Sequence, residues 1–167
     1  MRIASVSASG RGETDRFLAD LAATLEREGK RTVGVVKDLG HQSAFENGCD
    51  MKVRVLPDGP AIAITQALGP GSDACRLDPA GIAEAVILVT KRGVRDADVF
   101  ILNKFGPEEA EGRGFRAAIA EAIENDVPVL VGLGAGANTH KGFAAFTGDM
   151  AETLPADLGA VLTWVSG

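Results

Sequence analysis

At 167 residues the chain has the length of a single domain, taken as 1–167, and its 46% hydrophobic and 24% charged residues give an ordinary core-forming composition rather than a disordered one. A net charge of −6 without any extended Lys/Arg cluster argues against a nucleic-acid partner or an anionic membrane surface. No apolar run approaches the roughly 20 residues that span a bilayer, no signal-peptide stretch opens the chain, and Cys49 and Cys75 are too few for a disulfide framework, so a reduced, cytoplasmic setting is expected.

Strand and helix signals alternate, which predicts an α/β domain with three layers and a mostly parallel central sheet. Residues 2–7 read as the first strand. From Thr14 to Glu28, Phe17, Leu18, Leu21 and Leu25 recur at helical spacing, and Gly29 supplies a stop. Thr32 to Val36 gives a second strand, and the polar segment 38–50 a loop. Met51, Val53 and Val55 alternate with Lys52 and Arg54, and Pro57-Asp58-Gly59-Pro60 turns the chain into Ala61–Ile64, which predicts a β-hairpin over 51–64. Residues 67–77 read as a second glycine-containing loop. Asp78-Pro79 is a helix start, with Asp at the N-cap and Pro in the first helical position, and the helix should end near Gly93. Val99–Leu102 is a fully apolar, central strand. A helix over 115–123, a strand over 128–131, a glycine-rich loop over 132–142, a short helix over 142–152 and a closing strand over Ala160–Trp164 complete the expectation.

The loop after the first strand is the leading candidate site. Against the phosphate-loop pattern G-x-x-x-x-G-K-[ST], Gly12 and Thr14 match, Ser7 replaces the first glycine, and Glu13 stands where lysine belongs. A strand, a loop of small residues and a helix start together present free backbone N–H groups and the positive end of a helix dipole. Ser7, Ser9 and Thr14 add hydroxyls around Gly10 and Gly12, and Arg11 offers the missing cation. The alternative is an ordinary helix start, with Glu13 and Asp15 complementing the dipole. The second candidate follows the central strand: Asn103 and Lys104, then Glu108, Glu109 and Arg113, beyond a carboxyl edge where open α/β sheets bind ligands. Its alternative is the acidic first turn of a helix. A third, Cys75-Arg76, sits before the Asp78 helix start, and its alternative is a loop with an N-cap. Asn138, His140 and Lys141 lie in a glycine-rich turn that either wraps a ligand or is simply surface. The cysteines and histidines lack zinc-site spacing, so no metal is expected; a cysteine pair joining the two long loops stands as an alternative against the reduced setting.

Cys75-Arg76-Leu77-Asp78-Pro79, Leu102-Asn103-Lys104-Phe105-Gly106, Glu109-Ala110-Glu111-Gly112-Arg113-Gly114 and Val127-Pro128-Val129-Leu130 together resemble an uncharacterised bacterial domain family. Its members are described as nucleoside-triphosphatase-like or as linked to molybdenum transport. That family is similar in layout to the small THEP-type nucleoside triphosphatases. The resemblance implies a P-loop-type fold in which Asn103 and Lys104 fall on the metal-binding and catalytic acids, and Glu13 on the phosphate-binding lysine.

These readings lead to a degenerate P-loop-like protein that binds a small anion, phosphate-like or molybdate-like, or a nucleotide, with little or no hydrolysis and an accessory role in molybdenum metabolism. Hydrolysis needs magnesium and cations on the transferred phosphate, and the swaps remove both. One alternative is an active nucleotide-dependent enzyme using Lys104 with Glu108 or Glu109. Another is an interaction scaffold whose site is closed by a Glu13–Lys104 ion pair. The apolar face of the 51–64 hairpin is one candidate surface for a homo-oligomer.

Overall fold

A computed structural model describes residues 1–167. The elements run β1 (Ile3–Val6), α1 (Glu13–Arg27), β2 (Thr32–Lys37), β3 (Lys52–Val55), β4 (Ala61–Ala63), β5 (Thr65–Ala67), β6 (Cys75–Leu77), α2 (Pro79–Arg92), β7 (Val99–Leu102), α3 (Pro107–Ala110), α4 (Arg116–Glu124), β8 (Val129–Gly132), α5 (Ala137–Thr147), a 3-10 turn (Gly148–Met150), β9 (Ala151–Leu154) and α6 (Leu158–Ser166).

Local chemistry explains the firmest of these. Helix α1 buries Leu18, Leu21, Ala22 and Leu25, the i, i+3, i+4, i+7 stripe of a helix lying on a sheet. It stops where Gly29 takes a left-handed φ of 77°, and the Gly29 and Lys30 N–H groups donate to the Glu26 and Leu25 carbonyls, closing the C-terminus. In α2 the Asp78 carboxylate caps the Ala80 N–H at 3.0 Å, as the Asp-Pro start predicts.

The strands assemble as β4-β3-β2-β7-β8-β1-β9. The run from β2 to β9 in that order is parallel, and β3 and β4 extend the sheet antiparallel, as the hairpin reading requires. Helices α1 and α6 cover one face, where Leu18, Leu21, Leu25, Val161 and Val165 meet Ala4, Val6, Ile101 and Leu130. Helices α2, α4 and α5 cover the other, packing Ile82, Val89, Ile119 and Phe143 against Val33, Val35, Phe100 and Val129. The three-layer α/β architecture is therefore as expected.

Several expectations are overturned. Ala160–Trp164 is not a strand but the middle of α6: the Asp157 carboxylate caps the Ala160 N–H at 2.8 Å, and Val161 and Val165 bury one helical turn apart. The strand that closes the sheet is β9, which begins at the end of the segment read as a short helix; its main chain pairs with Ile3–Val6, a long-range partner that no local pattern announces. Helix α5 accordingly begins earlier, within the glycine-rich stretch. The 67–77 loop is also partly ordered, since β5 and β6 pair from Thr65↔Leu77 to Ala67↔Cys75. Finally, the apolar side chains of the hairpin, Val53, Val55 and Ile62, are buried under α2 with Ile82, Ala85 and Val89, so the chain itself covers the face assigned to self-association.

The site follows from this topology. Strand β1 leads through α1 to β2 on one side, whereas β8 leads through α5 to β9 on the other, so the chain diverges between the adjacent carboxyl ends of β1 and β8. Such a switch point opens a crevice at the sheet edge. Gly132 ends β8 where an added Cβ would collide with the Asn103 carbonyl and press on Leu18, so only glycine lets the loop after β7 approach this closely.

Candidate functional site

A cavity of about 670 Å³ occupies that crevice. Its walls come from Ser7–Gly12 after β1, Thr14 and Asp15 at the start of α1, Asn103 and Lys104 after β7, and Leu133–Ala135 after β8. The loop's shape depends on Gly10 and Gly12, at φ 100° and 75°, values that residues with a Cβ rarely adopt. Thr14 does not project freely: its hydroxyl accepts from the Ala8 N–H at 2.9 Å and closes the loop upon itself. The next N–H groups, of Ser9, Gly10, Arg11 and Gly12, donate to nothing within the protein. Successive unengaged amides at the start of a fifteen-residue helix form a concave array of donors suited to an oxyanion.

The charges are arranged differently from the sequence expectation. Glu13 is exposed and does not line the cavity. Its predicted ion pair with Lys104 is absent; the Glu13 methylene packs beside Gly10, while Lys104 lies against Gly134 on the opposite wall. A side chain in the first position of α1 points out of the loop, and a carboxylate there lacks the reach of a lysine to stand across the cavity. The carboxylate that does reach the wall is Asp15, which the sequence reading treated only as a dipole partner. Its Oδ1 accepts from Asn103 Nδ2 at 2.9 Å, and its Oδ2 lies 3.5 Å from Lys37 Nζ. Asn103, buried at 3% exposure, uses its Oδ1 to accept the Lys37 N–H at 3.0 Å. Amide, carboxylate and ammonium thus lock the ends of β7 and β2 to α1. Lys104 carries no ion pair, and its ammonium remains available to the cavity.

Arg11 contributes in two ways. It lines the cavity, and its guanidinium donates to the Asn47 carbonyl at 2.7 Å. Asn47 in turn donates to the Asp73 carbonyl at 2.6 Å, and Cys49 and Cys75 form a disulfide with Cα atoms 5.7 Å apart. The expectation of two reduced thiols is thereby corrected: folding of the 51–64 hairpin returns the chain beside its own loop and brings together cysteines 26 residues apart. Asp50 braces the same loop, accepting from the Ser43 hydroxyl, the Ala44 N–H and His41; chiefly the Ser43 hydrogen bond holds its carboxyl far below the usual range. From the other side, the His140 ring steadies the turn after β8, its Nε2 lying 2.9 Å from the Gly134 carbonyl in the cavity wall.

The remaining predicted residues lie off this cavity. Cys75 is in the disulfide, and Arg76 sits exposed on the small hairpin. Glu108 pairs with Arg113 at 3.0 and 3.2 Å, and that guanidinium holds its carboxyl below the usual range. Arg113 also reaches Glu111 at 2.5 Å, and the two carboxylates push its own pKa further up. Glu109 is buried and accepts the N–H groups of Gly106 and Phe115 at 3.0 and 3.1 Å. Burial pushes its carboxyl above the ordinary value despite those two donors. Glu109 therefore staples the loop between α3 and α4 and faces no phosphate. Sequence reasoning missed Asp15 and Lys37, for which the position of Asp15 in the first turn of α1, next to Thr14, was the one available signal; Leu133–Ala135 belong to the glycine-rich turn for which a ligand-wrapping role was one of two readings.

Magnesium is the metal that a P-loop fold implies, and the donor set here does not suit it. Magnesium prefers an octahedron of oxygens that includes one or two carboxylates. Asp15 is the carboxylate at hand and is held by an amide and an ammonium, Asn103 presents its N–H to it, and Thr14 is turned to Ala8. No three His, Cys, Asp or Glu side chains converge anywhere in the chain. No helix is long and apolar enough to cross a membrane.

Comparison with known proteins agrees with this architecture. The chain belongs to a family described as proteins of unknown function (DUF2478), which it matches over residues 3–164. It is 33% identical over 165 residues to the molybdenum import ATP-binding protein ModC 2 of Bradyrhizobium diazoefficiens, covering 98% of this chain but only 18% of that protein's length. In fold it is similar to THEP1 from the hyperthermophile Aquifex aeolicus, with a TM-score of 0.65 at 16% identity over the whole of both chains. A human cancer-related nucleoside triphosphatase is similar at a TM-score of 0.62 and 15% identity, covering 99% of this chain and 97% of that one. The fold, an α/β domain with a mostly parallel central sheet, is thus similar to that of these two proteins.

Proposed function

We propose that this member of the DUF2478 family holds a phosphate-type oxyanion, free, as part of a nucleotide, or as molybdate, in the crevice between β1 and β8, with little or no hydrolysis of nucleoside triphosphates. The observation that carries the reading is that the residues of the unengaged N–H row, Ser9 to Gly12, and the unpaired Lys104 line one cavity. Backbone N–H groups cradle a tetrahedral oxyanion, and an ammonium opposite them neutralises it without needing a loop lysine. Low hydrolysis is inferred from the donor set: Asn103 and Lys104 stand at the end of β7, and Asp15 is already engaged by Asn103 and Lys37. Without an acidic metal ligand, in-line transfer lacks its main electrostatic support. A role in molybdenum metabolism is supported by the likeness to a protein named for molybdenum import.

Isothermal titration calorimetry with phosphate, molybdate, tungstate, ATP and GTP, with and without magnesium, tests the reading. Binding independent of magnesium, weakened at least ~10-fold in Lys104→Ala, is expected. Sustained, magnesium-dependent turnover of ATP or GTP would show the non-hydrolytic reading to be wrong, and silence with every anion would remove the site.

A further inference from the structure

Behind Lys104 lies a second cavity of about 330 Å³, within the range of about 300–1,000 Å³ usual for small-molecule sites. Its apolar walls include Val35, Val53, Leu77, Ile82 and Phe115, and it shares Asn103 and Lys104 with the oxyanion cavity. Three of the five polar side chains on its wall are already engaged. Glu108 is tied to Arg113, Glu109 accepts two backbone N–H groups, and Asn103 is engaged by Lys37 and Asp15. The Lys104 ammonium and the Thr139 hydroxyl are the side-chain groups there that make no hydrogen bond. A lining of this kind repels a polar body, whose hydrogen bonds to water would be lost without replacement, and accepts an apolar one. The one uncompensated charge is positive, and its Cε and Nζ lie against Gly134, a residue of the oxyanion cavity.

We propose that the two cavities form one bipartite site for an organic phosphate: the phosphate lies on the Ser9–Gly12 amides, Lys104 bridges the junction, and an aromatic or aliphatic body fills the cavity between β3, α2 and the loop after β7. This rests on the oxyanion reading of the first cavity and adds to it the class of molecule recognised. Inorganic phosphate then occupies half the site. The bulk of the specificity comes from burying the apolar body, which grows with the area removed from water.

Calorimetry with inorganic phosphate and with 1-naphthyl phosphate tests the proposal on the intact chain, with Met51→Trp, which fills the second cavity, and Leu77→Ser, which strips part of its wall at an already exposed position. Naphthyl phosphate should bind at least ~10-fold more tightly than inorganic phosphate. Either substitution should erase most of that advantage while leaving the affinity for inorganic phosphate within about twofold. Lys104→Ala should weaken both ligands together. If inorganic phosphate binds but the naphthyl ester binds no better, or if its advantage survives both Met51→Trp and Leu77→Ser, the apolar cavity is not a subsite and the proposal falls alone. If neither phosphate binds, the oxyanion reading falls and the bipartite site with it. Methyl shifts of Leu77 and Ile82 on adding the ester, absent on adding phosphate, give a second support that does not depend on the variants folding equally well.

Discussion

Replacing Asn103 tests whether the lock between β7, β2 and α1 holds the crevice together. In Asn103→Ala the Lys37 N–H loses the acceptor it has at 3.0 Å, and Asp15 loses the donor it has at 2.9 Å. An orphaned buried N–H costs about 1–3 kcal/mol, and a hydrogen bond to a charged group contributes about 1.5–3 kcal/mol. Asp15 keeps Lys37 and a fifth of its exposure to water, so the lower half of the second range applies. The sum is about 2.5–5 kcal/mol, which for a chain of this size lowers the melting temperature by roughly 5–20 °C. Asn103→Asp is the informative companion. It keeps an acceptor for Lys37 but sets a second carboxylate against Asp15. Two such charges in contact cost on the order of 4 kcal/mol at the effective dielectric of a protein surface, less what Lys37 compensates. The pair then shares a proton, and its raised folded-state pKa means stability is present below the ordinary Asp value and lost as pH rises through the raised one. Urea unfolding at about pH 4 and pH 7, on either side of that loss, reads both variants. Asn103→Ala within about 1 kcal/mol of the parent, or Asn103→Asp losing no more stability than the parent between the two pH values, would refute the three-residue lock.

Two further outcomes follow from the geometry. Glu109→Ala strands the Gly106 and Phe115 N–H groups and should cost about 2–4 kcal/mol. Because burial raises the Glu109 pKa, the parent's share of stability from this group is full below the ordinary Glu value of 4.5 and is lost as pH rises through the raised one; denaturant midpoints from about pH 4 to pH 8 should fall in the parent relative to the variant. Closing the chain between Cys49 and Cys75 removes about 3 kcal/mol of loop entropy from the unfolded state, so Cys75→Ser or reduction with a dithiol should lower stability by that order in a urea titration. Unchanged midpoints after reduction would mean the two loops are held by Asn47 and Arg11 alone.

The patterns in the chain were enough for most of the scaffold. Periodic leucines placed α1, Asp78-Pro79 placed the start of α2, the alternation at Met51–Val55 placed the hairpin, and the apolar Val99–Leu102 placed the central strand, because each element's signal lies within a few residues of itself. The small-residue loop ahead of α1 was likewise legible, and its N–H groups from Ser9 to Gly12 are unengaged within the protein. What failed was the region where type depends on a distant partner. Ala160–Trp164 is apolar enough for a strand or a helix, and packing on α1 decides for the helix; Ala151–Leu154 is a strand because β1 has a free edge for it. The site's charges divide in the same way. Composition and spacing identified that Glu13, Asn103 and Lys104 depart from the P-loop pattern, but only the tertiary fold determined that Glu13 turns outward, that Asp15 meets Asn103 and Lys37, and that Lys104 stands unpaired between two cavities. Those facts depend on the direction of side chains from neighbouring parallel strand ends, and direction across a crevice is set by packing rather than by order along the chain.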